Sequence, residues 1–184
     1  MAKRVVTASF AGLLVVLTTG VASASYAAES SKPAGPHVPT SGGTVHVTGY
    51  SDNDGPTSRV VVSGVIGDFG EALRNGSDSE LDLRLTRGSF TLGITGLESE
   101  IAKAISGHFP PNATTCSGEV TVSGASAIDS GSGTGAYKGL SGTLTLTITI
   151  NEVESPPRCP TTDTAPFLAQ TVFITGSGTV AFQP

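Results

Sequence analysis

The chain has 184 residues, of which fifteen are acidic and ten basic, for a net charge of −5 at neutral pH. That balance argues against nucleic acid or an anionic membrane as partner, since both need a basic surface. Two cysteines and three histidines leave little material for a metal centre.

The first 28 residues, MAKRVVTASFAGLLVVLTTGVASASYAA, read as a secretory leader. Lys3 and Arg4 make the basic start, an apolar stretch runs from Val5 to Val21, and small residues follow. Thr7, Ser9, Thr18 and Thr19 interrupt the apolar stretch, whereas a membrane span needs roughly 20 predominantly apolar residues. Cleavage after Ala24, Ala27 or Ala28 is compatible with the sequence. The expected product is secreted, with no membrane span after signal cleavage. Losing the leader removes two basic residues and leaves eight against fifteen acidic ones, a net charge of −7. About 156 residues then remain, enough for one domain with its own core.

Residues 29–43 (ESSKPAGPHVPTSGG) offer almost nothing to bury and read as a disordered linker. The domain is expected over 44–184. TVHVTGY (44–50) alternates, with Val45 and Val47 on one face and Thr44 and His46 on the other. SRVVVSGVIGDFG (58–70) is a longer β-branched run with a bulge or bend at its glycines. NGSDS (75–79) supplies a turn. In the next run Leu81, Leu83 and Leu85 share a face, Gly88 marks a kink or bulge, and Phe90, Leu92 and Ile94 resume the apolar side.

LESEIAKAIS (97–106) breaks the two-residue period. Its apolar positions Leu97, Ile101, Ala104 and Ile105 have helical spacing. A helix this short needs tertiary contact to persist, so it should pack on the sheet or close one end of a barrel. GHFPP (107–111) stops it. Strands return at 118–128, 141–153 and 169–184, the last two separated by a proline-rich loop that carries Cys159. In an oxidising compartment Cys116 and Cys159 are expected to pair, closing a loop worth about 4 kcal/mol in the chain-entropy model.

No constellation for catalysis emerges. The three histidines, His37, His46 and His108, lack metal-site spacing, so no metal and no cofactor is expected. SDNDG (51–55) has the opening of a calcium loop but lacks the further ligands, and reads as a turn. Most carboxylates fall on turns or solvent-facing strand positions. Asp68, between Ile66 and Phe69, is the acidic residue expected to be partly buried. There is no G-x-S-x-G elbow. Thr143, Thr145, Thr147 and Thr149 form a ridge on one strand face; an ice-binding surface would need several such ridges in parallel, and the sequence pattern offers one.

The stretch GSGTGAYKGLSGTLTL (131–146) resembles the G-T-G-x-[YF]-x-G-x-x-G element of the allene oxide cyclase and dirigent barrels, through Gly133, Thr134, Gly135, Tyr137, Gly139 and Gly142. TTCSG (114–118) is similar to a segment that accompanies such elements in exported bacterial proteins of unassigned function. The resemblance implies an eight-stranded antiparallel barrel whose apolar interior, in the plant families, receives a hydrophobic ligand. The acidic and amide catalytic residues of those enzymes have no counterparts placed here, and none is carried over.

The expected fold is therefore all-β, a single antiparallel β-barrel of about eight strands with one short helix, a β-sandwich being the alternative. The expected function is non-enzymatic binding of a small apolar molecule or an envelope surface, with Asp68, His46 and Tyr137 as candidate ligand-binding residues. A cyclase or isomerase of the plant-barrel type, and a structural or adhesive surface module, are the alternatives.

Overall fold

The structure, a computed structural model, describes residues 41–52, 57–75, 77–106, 112, 114–155 and 167–183. The leader, most of the linker, His37, His108 and Cys159 lie outside them. Among the described residues there are eight strands: β1 (Gly43–Asp52), β2 (Thr57–Gly64), β3 (Asp68–Arg74), β4 (Glu80–Leu85), β5 (Gly88–Gly93), β6 (Ser117–Ala127), β7 (Leu140–Glu154) and β8 (Phe167–Phe182). Helix α1 (Thr95–Ser106) stands between β5 and β6, and a single 3₁₀ turn, Gly135–Tyr137, precedes β7.

All eight strands belong to one antiparallel sheet in the order β5-β4-β3-β2-β1-β8-β7-β6. The sheet curls until its two edges touch at a bridge between Leu92 and Ile128. It is a barrel-like fold in one sheet, not the two facing sheets of a sandwich.

Two apolar runs each turned out to hold a hairpin rather than one bent strand. In 58–70 the chain reverses over Val65–Gly67, so that Val61 of β2 lies opposite Phe69 of β3. Gly67 sits there at φ +58°, a left-handed conformation that costs an L side chain energy. After β4 the chain reverses over Thr86 and Arg87, setting Leu83 opposite Phe90. Neither turn carries the Asn-Gly or Asp-Gly pair that announces a tight hairpin.

The interior follows the two-residue period. Val45 and Val47 of β1, Val60 and Val62 of β2, Leu81 and Leu83 of β4, and Leu144, Leu146 and Ile148 of β7 are buried in one core cluster. Helix α1 adds Leu97 and Ile101 to it, while Ala104 and Ile105 of the expected helical face remain exposed. Leu97 packs on β6 at Gly124, where a Cβ would stand 3.1 Å from its Cδ2.

The seam between β5 and β6 is closed by the glycine-rich segment rather than by strand pairing. Backbone N–H groups of Asp129, Thr134 and Ala136 donate to the carbonyls of Thr91, Ser89 and Arg87 at 3.0, 2.8 and 2.9 Å. This occupies hydrogen-bonding positions that would otherwise be a bare sheet edge. Gly135 makes the approach possible: at φ +56°, a Cβ there would fall 2.3 Å from the Arg87 carbonyl oxygen.

Candidate functional site

Strand register separates two ends of the barrel. One end holds the start of β3, the β4–β5 turn, the 3₁₀ turn and the start of β7. The other holds the end of β3, helix α1 and the middle of β7 and β8.

At the first end Tyr137 is fully buried, packed edge-on against Phe90 with ring centroids 5.5 Å apart. Its hydroxyl donates to Asp68 Oδ2. Asp68 also accepts from Thr86 Oγ1 at 2.5 Å, from its neighbour Phe69 N–H at 2.8 Å, and from the backbone N–H and Nε of Arg87 at 3.2 and 3.3 Å. Arg87 Nη2 donates onward to the carbonyls of Ile66 and Gly67 at 2.5 and 2.9 Å. Burial pushes the Asp68 carboxyl up, but the hydrogen bonds from Thr86, Tyr137 and the two backbone N–H groups outweigh it and hold the group down at about 2. Burial, then the Asp68 carboxylate, push the Tyr137 phenol well above its ordinary value.

This arrangement explains an inversion of the strand pattern. Asp68 points into the barrel and Phe69 points out, 60% exposed. The carboxylate is tolerated inside because five donors meet it there.

At the other end lies a cavity of about 600 Å³. Ala72 of β3, Leu81 of β4, Ile148 and Ile150 of β7, and Val172 and Ile174 of β8 form its walls. Helix α1 contributes Ile101 and Ile105. Among the described residues the polar lining is Ser51, Arg74, Asn75, Asp78, Glu98 and Gln170; Arg74 Nε lies 3.2 Å from Asp78 Oδ1 and its Nη1 lies 3.3 Å from Glu98 Oε1. Gln170 donates to Glu152 Oε2 at 2.7 Å, and Ser51 is buried. An apolar concavity with a few polar groups at its edge is the usual form of a small-molecule site.

Of the three residues singled out from the sequence, Asp68 and Tyr137 are brought together and His46 is not. His46 is exposed on the outer face of β1. None of the three lines the 600 Å³ cavity. Sequence reasoning missed Arg74, Glu98 and Gln170. The one signal for this end was Ile105, an apolar residue extending the helical stripe beyond what the core needs.

Another concavity, of about 820 Å³, is a shallow groove on the outside of β2, β3 and β4, flanked by Arg59 and Arg84 around the exposed Val61 and Phe69. Beside it the threonine ridge of β7 is one of several rows, which corrects the single ridge expected from sequence. Thr143, Thr145 and Thr147 lie opposite Thr179, Ser177 and Thr175 of β8, which lie opposite Thr44, His46 and Thr48 of β1. Thr121 and Ser123 of β6 extend the rows, with hydroxyl oxygens 3.0 and 2.7 Å from those of Thr149 and Thr147.

Cys116 is buried and is not a free thiol; its expected partner, Cys159, falls outside the described residues. Among the described residues no group of three or more His, Cys, Asp or Glu side chains could hold a metal ion.

No family model matches the chain, and no curated protein or solved structure does either. The class of protein is therefore defined by the fold and the cavity: an all-β, barrel-like domain with a buried polar network at one end and, among the described residues, an apolar cavity at the other.

Proposed function

We propose that the protein is an exported carrier or sensor that holds a small apolar molecule in the cavity beneath helix α1. The observation that carries this reading is the cavity itself. Its volume of about 600 Å³ falls within the range of ligand sites, about 300–1,000 Å³, and its walls are apolar. A barrel interior filled throughout by Leu, Ile and Phe would have argued against it.

Binding is favoured over a cyclase or isomerase activity because the titratable pair sits elsewhere. Asp68 and Tyr137 spend their hydrogen-bonding capacity on each other and on Thr86 and Arg87, at the end away from the cavity. Export, the Cys116–Cys159 disulfide and kinship with the allene oxide cyclase and dirigent barrels belong to the same proposal, supported by the leader-like sequence and by the GTGAYKGLSG element.

Native mass spectrometry of the protein purified from its natural host tests the binding. A mass increment lost on denaturation is expected. A bare protein mass, together with no thermal shift across a panel of lipophiles, would overturn the reading. Peptide mapping without reduction should find Cys116 and Cys159 linked, and separately alkylated peptides would remove the disulfide from the proposal.

One observation favours a second reading, that of an adhesive surface module: the parallel hydroxyl rows on the outer face of β6, β7, β8 and β1. Co-sedimentation with the insoluble cell envelope distinguishes the two. Pelleting that is lost when Thr145 and Ser177 are both replaced by Lys would favour the module.

A further inference from the structure

The groove outside β2, β3 and β4 departs from the polar-outside pattern of its sheet. Position 69 faces outward because Asp68 beside it is held inside, but alternation asks only for a side chain that water accepts there. Phe69 occupies that place and is 60% exposed. Val61, directly opposite it on β2, is 45% exposed. A lone exposed Phe needs no explanation, whereas two apolar side chains paired across strands on an outer face form a patch.

Two arginines frame this patch. Arg59 of β2 and Arg84 of β4 are exposed, and both line the groove. Glu71 of β3 lies opposite Arg84 in the register, yet among the described residues no carboxylate stands within ion-pair distance of either guanidinium. A guanidinium in that state presents its whole planar fork to an incoming carboxylate. Aromatic rings and arginine together are the composition of the energetic centre of a protein–protein interface.

The charges also choose the partner. The chain is acidic as a whole, with a net charge of −5, but the groove sets Arg59 and Arg84 against Glu71. A second copy packed about a two-fold axis would bring the same patch, and the same positive surplus, against itself. An acidic partner gains where that pairing loses.

We propose that this groove docks an acidic segment of another protein, with an apolar side chain seated against Phe69 and Val61 and carboxylates on Arg59 and Arg84. The site lies on the outer face of the sheet, so it neither uses nor needs the cavity beneath α1.

Fluorescence anisotropy with the full chain and three labelled dodecapeptides tests it. One peptide alternates aspartate with leucine, one has lysine for each aspartate, and one has serine for each leucine. The first is expected to bind at least about tenfold more tightly than either control, and to weaken as salt is raised. Arg59→Glu combined with Arg84→Glu should weaken it by at least about tenfold, and Phe69→Ser severalfold. The milder pair Arg59→Gln with Arg84→Gln should act in the same direction. All three side chains are exposed, so the unfolding midpoints should stay close to that of the parent. Equal binding of either control peptide, undiminished binding in the arginine variants, or no binding of the acidic peptide would overturn the proposal. Sedimentation equilibrium supplies the remaining arm: a dimer that Phe69→Ser dissolves would give the groove to a second copy and overturn it as well.

Discussion

Strand β3 enters the barrel with Asp68 and leaves it with Ala72, Leu73 and Arg74, and the two ends it joins are built on different principles. At the Asp68 end the polar groups face inward and satisfy one another, Tyr137 fills the remaining space, and the glycine-rich segment binds across the seam. At the Arg74 end the inward groups are aliphatic, the charges lie toward the edge, and a helix stands where a strand pair would have closed the sheet. A buried, fully partnered network holds one conformation, because moving any member strands the others. A cavity walled by Ile, Leu and Val has no such penalty for changing its contents. Under the proposed function, the contrast gives stability to one end and recognition to the other.

Asp68→Ala should break that assignment most severely. It removes the acceptor shared by Tyr137, Thr86 and Arg87, and a loss of about 3–5 kcal/mol in urea unfolding is expected. Tyr137→Phe removes one donor and keeps the ring against Phe90, so a smaller loss of about 1–3 kcal/mol should follow. Both variants, where folded, should retain ligand affinity; a selective loss of binding in Tyr137→Phe would mean that the sealed end takes part in recognition.

The same network predicts a pH dependence. Asp68 is held at about 2, below its ordinary value near 4, so its contribution is complete above pH 4 and is lost as pH falls toward 2. A shift of this size corresponds to about 2 kcal/mol. Tyr137 is shifted the other way, so its contribution is present below about pH 10 and declines above it. Stability measured against pH should therefore fall on both sides of that window. In Asp68→Asn the part of the acid fall that belongs to this carboxylate should be absent, and an unchanged acid limb would refute the role given to Asp68.

The smallest stability effect belongs to the other end. Ile105→Ser, at a residue 40% exposed, should change unfolding free energy by no more than about 1 kcal/mol while reducing ligand affinity. A large stability loss there would erase the division between the two ends.

Much of the architecture was legible because alternation is a local property. Val45 and Val47, Leu81 and Leu83, and Leu144 and Leu146 declare their buried face in sequence, and Leu97 with Ile101 declares a helix. The reversals at Val65–Gly67 and Thr86–Arg87 were not legible, since their residues carry weak turn signals inside continuous apolar runs. The hydroxyl rows depend on register between strands distant in sequence, such as Thr145 opposite Ser177, which no local pattern reveals. Asp68 and Tyr137 could be named as unusual residues, but that they face each other across 69 positions is a property of the closed sheet. The cavity was the least visible feature, because Ile148 and Ile174 look the same in sequence whether they meet other side chains or an open volume.

Inside the sheet β1 pairs with β8, which joins residues near 45 to residues near 178. Without β8 the ladder breaks into β1 to β5 and β6 with β7, joined only at the seam near Leu92 and Ile128, and the core stays open. As the chain emerges from its N-terminal side, the barrel must wait for residues 167–182 to arrive, and assembly is governed by this last and most distant contact. Timing, as well as stability, is thus written into the strand order: the core cannot close before β8 has joined β1 to β7.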